Sequence, residues 1–148
     1  MISRHFIITK FLNKLLKHGK KQVSRRILFN VIYQLGGWAN VQKAILKACP
    51  IIITKSTKIG GRAFLLPVPL TQSKQITTAL SWIIKAARKR RNNKSISSAI
   101  VNELLDNSRG EGQAYQFKRD AYRTAVNNRA SLHFFDDASS SADISEDN

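Results

Sequence analysis

The chain has 148 residues, 43% of them hydrophobic, which suits a single domain with a buried core and argues against global disorder. Its 25 Lys and Arg against 9 Asp and Glu leave a formal net charge of +16. The imbalance is concentrated, because residues 1–102 hold 20 basic residues and the first acid is Glu103. A fold so charged repels itself unless a polyanion neutralises it, which points to nucleic acid first and an anionic membrane second. A lone cysteine, Cys49, excludes an internal disulfide framework and a cysteine-based zinc site, and in its apolar setting it reads as a small core residue.

Residues 8–18 place Ile8, Phe11, Leu12, Leu15 and Leu16 on one helical face and Lys10, Lys14 and Lys17 on another, with Gly19 as the stop. Such a helix suits a membrane surface, an RNA, or simply a core with a solvated basic face. A second helix, roughly 21–35, has an apolar stripe of Val23, Ile27, Val31 and Leu35. Lys21, Arg25 and Arg26 crowd its start. Cations there oppose the helix dipole, a cost that a bound phosphate removes. Gly36-Gly37 ends this helix, and a third follows at about 40–48 with Val41, Ile45 and Ala48 inward and Lys43 and Lys47 outward.

Pro50 blocks further helix, and two apolar runs, Ile51 to Thr54 and Ala63 to Val68, flank a Lys-rich connector and Gly60-Gly61. Paired glycines accept the positive φ of a tight turn, so the stretch reads as an antiparallel hairpin. Lys55, Lys58 and Arg62 surround its tip without an acid, as in a phosphate contact or an ordinary solvated turn. Pro67 and Pro69 cannot donate to a ladder, so the second strand is an edge or is leaving its sheet. Two strands alone are marginal in water, so the hairpin must lean on helices at its base and project its tip.

A fourth helix, about 72–90, has Thr71 as N-cap and buries Ile76, Leu80, Ile83, Ile84 and Ala87. It ends in Arg88-Lys89-Arg90-Arg91, with Lys94 beyond. Five cations in seven residues exceed what capping requires and suggest nucleic-acid contact. Ser95 caps a fifth helix carrying Ile96, Ile100, Val101, Leu104 and Leu105. After a loop with Gly110 and Gly112, a sixth, about 114–130, sets Lys118, Arg119, Arg123 and Arg129 near Tyr115 and Tyr122. From Asp136 the acidic, Ser-rich tail is expected to be disordered.

No catalytic constellation assembles. His5, His18 and His133 lack metal-ligand spacing, Glu103 and Asp106 read as solvated or paired with Arg, and no serine sits in a nucleophile elbow. No metal, cofactor or enzymatic activity is expected. No apolar run approaches the ~18 residues needed to span a bilayer. The short basic N-terminus lacks a signal-peptide core, so secretion is not expected.

Five strings in order, FLNKLLKHGKK (11–21), KIGGRAFLLPV (58–68), ALSWIIKAARKR (79–90), ELLD (103–106) and NNRASLHF (127–134), resemble ribosomal protein S7 of the bacterial and organellar type. The resemblance runs from about Ile8 to Phe134. It implies a mainly α fold, a bundle of about six helices with one protruding two-stranded hairpin. It implies a structural protein that binds the 3′ major domain of small-subunit rRNA and nucleates assembly of the head. The hairpin arm would lie near the E site and mRNA exit, with a neighbouring small-subunit protein and transient exit-site tRNA and mRNA as partners.

By position, Asn13, Lys14, Gly19, Lys20 and Lys21 match the family's first-helix-and-turn motif, Lys58, Gly60, Gly61 and Pro67 its hairpin, and Trp82 with Arg88 to Arg90 its fourth helix. Gly110, Gly112, Arg123, Asn128, Arg129 and His133 match its C-terminal region. Residues and resemblance together give one rRNA-binding set: Lys10, Asn13, Lys14, Lys17, Lys20, Lys21, Arg25, Arg26, Arg88 to Arg91, Lys94, Lys118, Arg119, Arg123 and Arg129.

This sequence departs from the family at three points. The basic N-terminal arm is cut to residues 1–7, leaving one domain over 8–135 and the tail at 136–148. The lysine cluster of the sixth helix is Gln116-Phe117-Lys118, where Phe117 could meet another protein. The C-terminal finish is Phe135-Asp136. Heavy use of Ile, Lys, Asn and Ser favours a mitochondrial ribosome over a plastid or bacterial one. The competing reading is a basic amphipathic binder of a membrane surface or a partner helix. Neither reading requires a homo-oligomer.

Overall fold

The computed structural model describes residues 3–59, 62–91 and 95–132. Gly60 and Gly61 of the proposed turn, Lys94, His133 and the acidic tail lie outside the described residues. Six helices and one antiparallel pair of strands follow in the order α1 (Arg4–Leu15), α2 (Lys21–Gln34), α3 (Trp38–Ala48), β1 (Ile52–Ile59), β2 (Arg62–Pro69), α4 (Gln72–Lys89), α5 (Ile96–Arg109) and α6 (Gln113–Asn127). A 3-10 turn, Arg129–Leu132, closes the described chain. This is the mainly α bundle with a β-hairpin that the sequence predicts.

α4 is the central helix, packed against α1, α3, α5 and α6. Its Ile76, Leu80, Ile83 and Ile84 are buried, each contributing about 1.5–3 kcal/mol of apolar transfer. Ala79, Ala86 and Ala87 let its neighbours approach closely. Thr71 occupies the N-cap position with extended backbone, but its side chain caps nothing.

Two helices differ from their predicted faces. α1 begins at Arg4, so residues 4–7, read as an arm, form its first turn, and Ile7 is buried with Phe11 and Leu15. Ile8 and Leu12 are partly buried and Leu16 is exposed. In α2 the buried stripe is Ser24, Leu28, Val31 and Leu35, whereas Val23 is half exposed. Gly36, at φ 73°, then ends the helix in a Schellman turn, with Gly37 N–H donating to the Ile32 carbonyl (3.0 Å) and Gly36 N–H to Tyr33 (3.1 Å). Trp38 and Ala39 also belong to α3, extending it two residues upstream of the sequence prediction.

The hairpin is longer than its apolar runs, since β1 continues through the Lys-rich connector. Its register runs from Ile52↔Pro69 to Ile59↔Arg62 and leaves only positions 60 and 61 between the strands. Leu70 N–H donates to the Ile51 carbonyl (2.8 Å). Strand alternation therefore aims the nitrogens of Pro67 and Pro69 away from β1, where no donor is needed. The hairpin leans on α6 and the 3-10 turn, and Ile51 N–H donates to the Tyr122 hydroxyl at 3.0 Å.

α5 starts as the sequence predicts, with Ser95 Oγ accepting from Ser98 N–H (3.2 Å). Its inner face carries Glu103 and Asn107 besides Ile100 and Leu104, while Leu105 is partly exposed. The Asn107 side chain accepts from Tyr115 N–H (3.1 Å) and fills the space beside Gly112. A Cβ on Gly112 would stand 2.0 Å from Asn107 Oδ1. Gly112→Ala is therefore expected to cost about 1–3 kcal/mol, read as a lowered denaturant midpoint at unchanged slope.

Candidate nucleic-acid interface

The turn between α1 and α2 is held by Lys20 N–H donating to Lys17 (3.1 Å) and Lys21 N–H to Gly19 (2.8 Å). It presents Lys17, His18, Lys20 and Lys21, all exposed. α2 has neither a side-chain cap nor an acid in its first turn. Its dipole and Lys20, Lys21 and Arg25 together make a strongly anion-seeking end. Asn13 and Lys14 on α1 and Arg26 on α2 are exposed beside it in sequence.

The basic run closing α4 is divided between two clefts. Arg88 in the last turn of α4 and Arg91 just beyond its end line a cleft of about 200 Å³ with Lys17 and Lys20 of the α1–α2 turn. Cations some seventy positions apart in sequence thus meet around one opening that has no acid among its described lining residues. Lys89 and Arg90 face the other way, into a polar cleft of about 380 Å³ with Glu103, Asp106 and Glu111.

In that second cleft Arg90 serves the fold. Arg90 bonds to Asp106 and sits 3.7 Å from the Glu103 carboxylate, which also accepts from Ala114 N–H at 2.8 Å near the start of α6. These are the two ion pairs among the described residues. Glu103 is therefore paired with Arg, and it is 1% exposed, not solvated. Burial pushes its carboxyl above the usual Glu range, against the opposing pull of Ala114 N–H and Arg90. The folded chain thus holds this proton to higher pH than the unfolded chain. The stability it contributes is complete below the unfolded Glu range, near pH ~4.3, and is lost as pH rises through the folded titration. Replacing Glu103 by Gln is expected to flatten this part of the thermal stability–pH profile, and equal profiles for the two proteins would refute the assignment.

Lys118 is likewise occupied. Its ammonium donates to the Lys47 carbonyl (2.9 Å) near the end of α3, and lies 5.9 Å and 5.8 Å from the Tyr115 and Tyr122 ring centres. Lys47 in turn donates to the Ser108 carbonyl (2.8 Å) on α5. Lys10 lies over the Phe6 ring (5.3 Å), and Phe117 packs on Trp82 (6.3 Å) beneath Lys85 (5.5 Å), so its ring has a partner within this chain. Arg119 and Arg123 line a further opening on α6, and Arg129 is exposed just beyond it. Lys55 and Lys58 are exposed along β1, and Arg62 opens β2.

Cys49 is buried, with its thiol near the Ile45 carbonyl (3.4 Å), and burial pushes it up to about 11, as befits a core residue. Among the described residues no cluster of three or more His, Cys, Asp or Glu could hold a metal ion, and no helix is long and apolar enough to cross a membrane.

Sequence reasoning missed the internal roles of Glu103, Asn107 and Lys118. For the first two the signal was present: Ile96, Ile100, Glu103 and Asn107 share one helical face.

The family model for ribosomal protein S7p/S5e matches residues 2–129. The small ribosomal subunit protein uS7 of Salinibacter ruber is 35% identical over 140 residues, covering 90% of this chain and 88% of that protein. Its counterpart in Sulfurimonas denitrificans is 34% identical over 134 residues, 86% of each chain, and that of Nitratiruptor is 33% identical over 135. The chain belongs to the ribosomal protein S7p/S5e family, whose members are structural and not enzymes.

Proposed function

We propose that the chain is a structural constituent of the small ribosomal subunit that binds the 3′ major domain of its rRNA and nucleates assembly of the head. One observation carries the reading: Lys17 and Lys20 converge with Arg88 around a cleft that has no acid among its described lining residues, beside the start of α2, which has no side-chain cap. Phosphate contacts dominate, with recognition of a folded RNA junction by shape.

Asn13, Lys14, Lys21, Arg25, Arg26, Lys89, Arg119, Arg123 and Arg129 extend this surface. Lys10, Arg90 and Lys118, already engaged within the protein, make smaller contributions. The hairpin, with Lys55, Lys58 and Arg62, reaches towards exit-site tRNA and mRNA and a neighbouring ribosomal protein. The chain works as a single copy, without cofactor or metal. Its heavy use of Ile, Lys, Asn and Ser supports a mitochondrial ribosome. Exposed cations recur on helices and hairpin alike, which favours RNA over a membrane surface, where they would gather on one face.

Chemical footprinting of the small-subunit rRNA with and without the chain tests the reading, using Lys20→Glu/Lys21→Glu as the disabling variant. Protection confined to the 3′ major domain, lost in the variant while its helical circular dichroism persists, is the expected result. Protection elsewhere, or a variant that binds as well as the parent, would overturn it.

A further inference from the structure

The cleft between the α1–α2 turn and the end of α4 holds more than cations. Its walls include Leu15 of α1, Val23 and Ile27 of α2, and Ile96 of α5, an apolar interior inside a basic rim. Val23 is half exposed, so its side chain is accessible from the opening.

His18 stands at the same opening with φ 52°, the only non-glycine residue among those described with positive φ. A histidine there is strained, and glycine would occupy the position more readily. His18 lines this opening together with the apolar walls and cations from two segments. At about 200 Å³ the space is below the range of drug-sized ligand sites and suits one planar heterocycle.

The geometry points to a pocket for one unstacked nucleobase of the bound RNA. The base rests on Val23, Ile27 and the His18 ring, while Lys17, Lys20 and Arg88 hold the phosphates on either side. Folded RNA exposes such bases at loops and bulges, and proteins read them by stacking on histidine and apolar side chains. An apolar side chain of a neighbouring protein could fill the same volume. A rim that carries Lys17, Lys20 and Arg88, with no acid among its described residues, instead matches the phosphates that flank a nucleotide. The inference rests on the rRNA reading above and deepens it, giving the interface a contact to a base as well as to the backbone.

The test uses the full chain and a transcript of the 3′ major domain of its own small-subunit rRNA. His18→Gly removes the ring while relaxing the strained backbone, so its stability should hold or rise. Val23→Ser removes an apolar contact from a half-exposed position, and His18→Tyr restores a ring. Stacking of one base predicts affinity about 5- to 150-fold weaker for His18→Gly, with the slope of log affinity against log salt unchanged. Val23→Ser should weaken binding in the same way, and His18→Tyr should recover most of the loss.

Dimethyl sulfate probing should show one nucleotide protected by the parent chain and exposed by His18→Gly. Parent-like affinity and footprint in both His18→Gly and Val23→Ser would overturn the pocket and leave the rRNA reading standing. A loss accompanied by a shallower salt slope would also overturn it, because it identifies a phosphate contact. So would unaltered binding to the bare transcript with a defect only when other ribosomal proteins are present. If the parent chain fails to bind the transcript at all, the rRNA reading falls and the pocket with it.

Discussion

Raising monovalent salt from about 50 to 200 mM is expected to weaken binding to the small-subunit rRNA by about three to five decades, the loss that follows from releasing the counterions of ~6–10 phosphates. The structure supplies the cations for that count. Lys17, Lys20, Lys21, Arg25, Arg26, Arg88, Arg119 and Arg123 are exposed, and none has an acidic partner among the described residues. Arg90 and Lys118 are held by Asp106 and by the Lys47 carbonyl. Replacing either with Gln should lower thermal stability and hardly alter the salt slope, whereas Lys20→Gln should reduce the slope by about one. Filter-binding titrations across the salt range measure both. A flat response would mean that the excess charge does not answer to RNA phosphate.

Phe11→Ala is expected to destabilise the fold by about 3–5 kcal/mol. Phe11 has no solvent exposure and belongs to the single core cluster that joins α1 to α4. Domains of this kind have only about 5–15 kcal/mol in total, so the loss is a large fraction. It should lower the Tm by on the order of 10 °C, measured in high salt where self-repulsion is screened. Leu12→Ala, one position along and only partly buried, should cost much less. Equal losses for the two would mean that α1 docks through a different face.

Most of the fold was legible because its signals are local. Ser95 with its following apolar run, the spacing of Ile76, Leu80, Ile83 and Ile84, and two apolar runs around a paired glycine each act within a few residues. What escaped was set by tertiary structure. α2 has apolar residues at 23, 27, 28, 31, 32 and 35, covering so much of its circumference that periodicity could not choose between Val23 and Ser24 as the buried side.

Residues 4–7 were read as an arm on the family's pattern, but Ile7, Phe11 and Leu15 continue one stripe and draw the segment into the helix. The candidate site shows the same limit. The sequence supplied the Arg88–Arg91 run but not its division between Lys17 and Lys20 on one side and Glu103 and Asp106 on the other. Lys118 resembles any surface lysine until α3 brings a carbonyl to meet it.

The two prolines of β2 have a consequence for the chain before it reaches its RNA. A ribbon of two strands has free margins on both sides, and a newly made, self-associating copy could extend either into a larger sheet. Along β2 that margin lacks hydrogens at positions 67 and 69, and along β1 the strand carries Lys55 and Lys58, which repel a like-charged copy. The hairpin can therefore stay long and projecting without seeding aggregates.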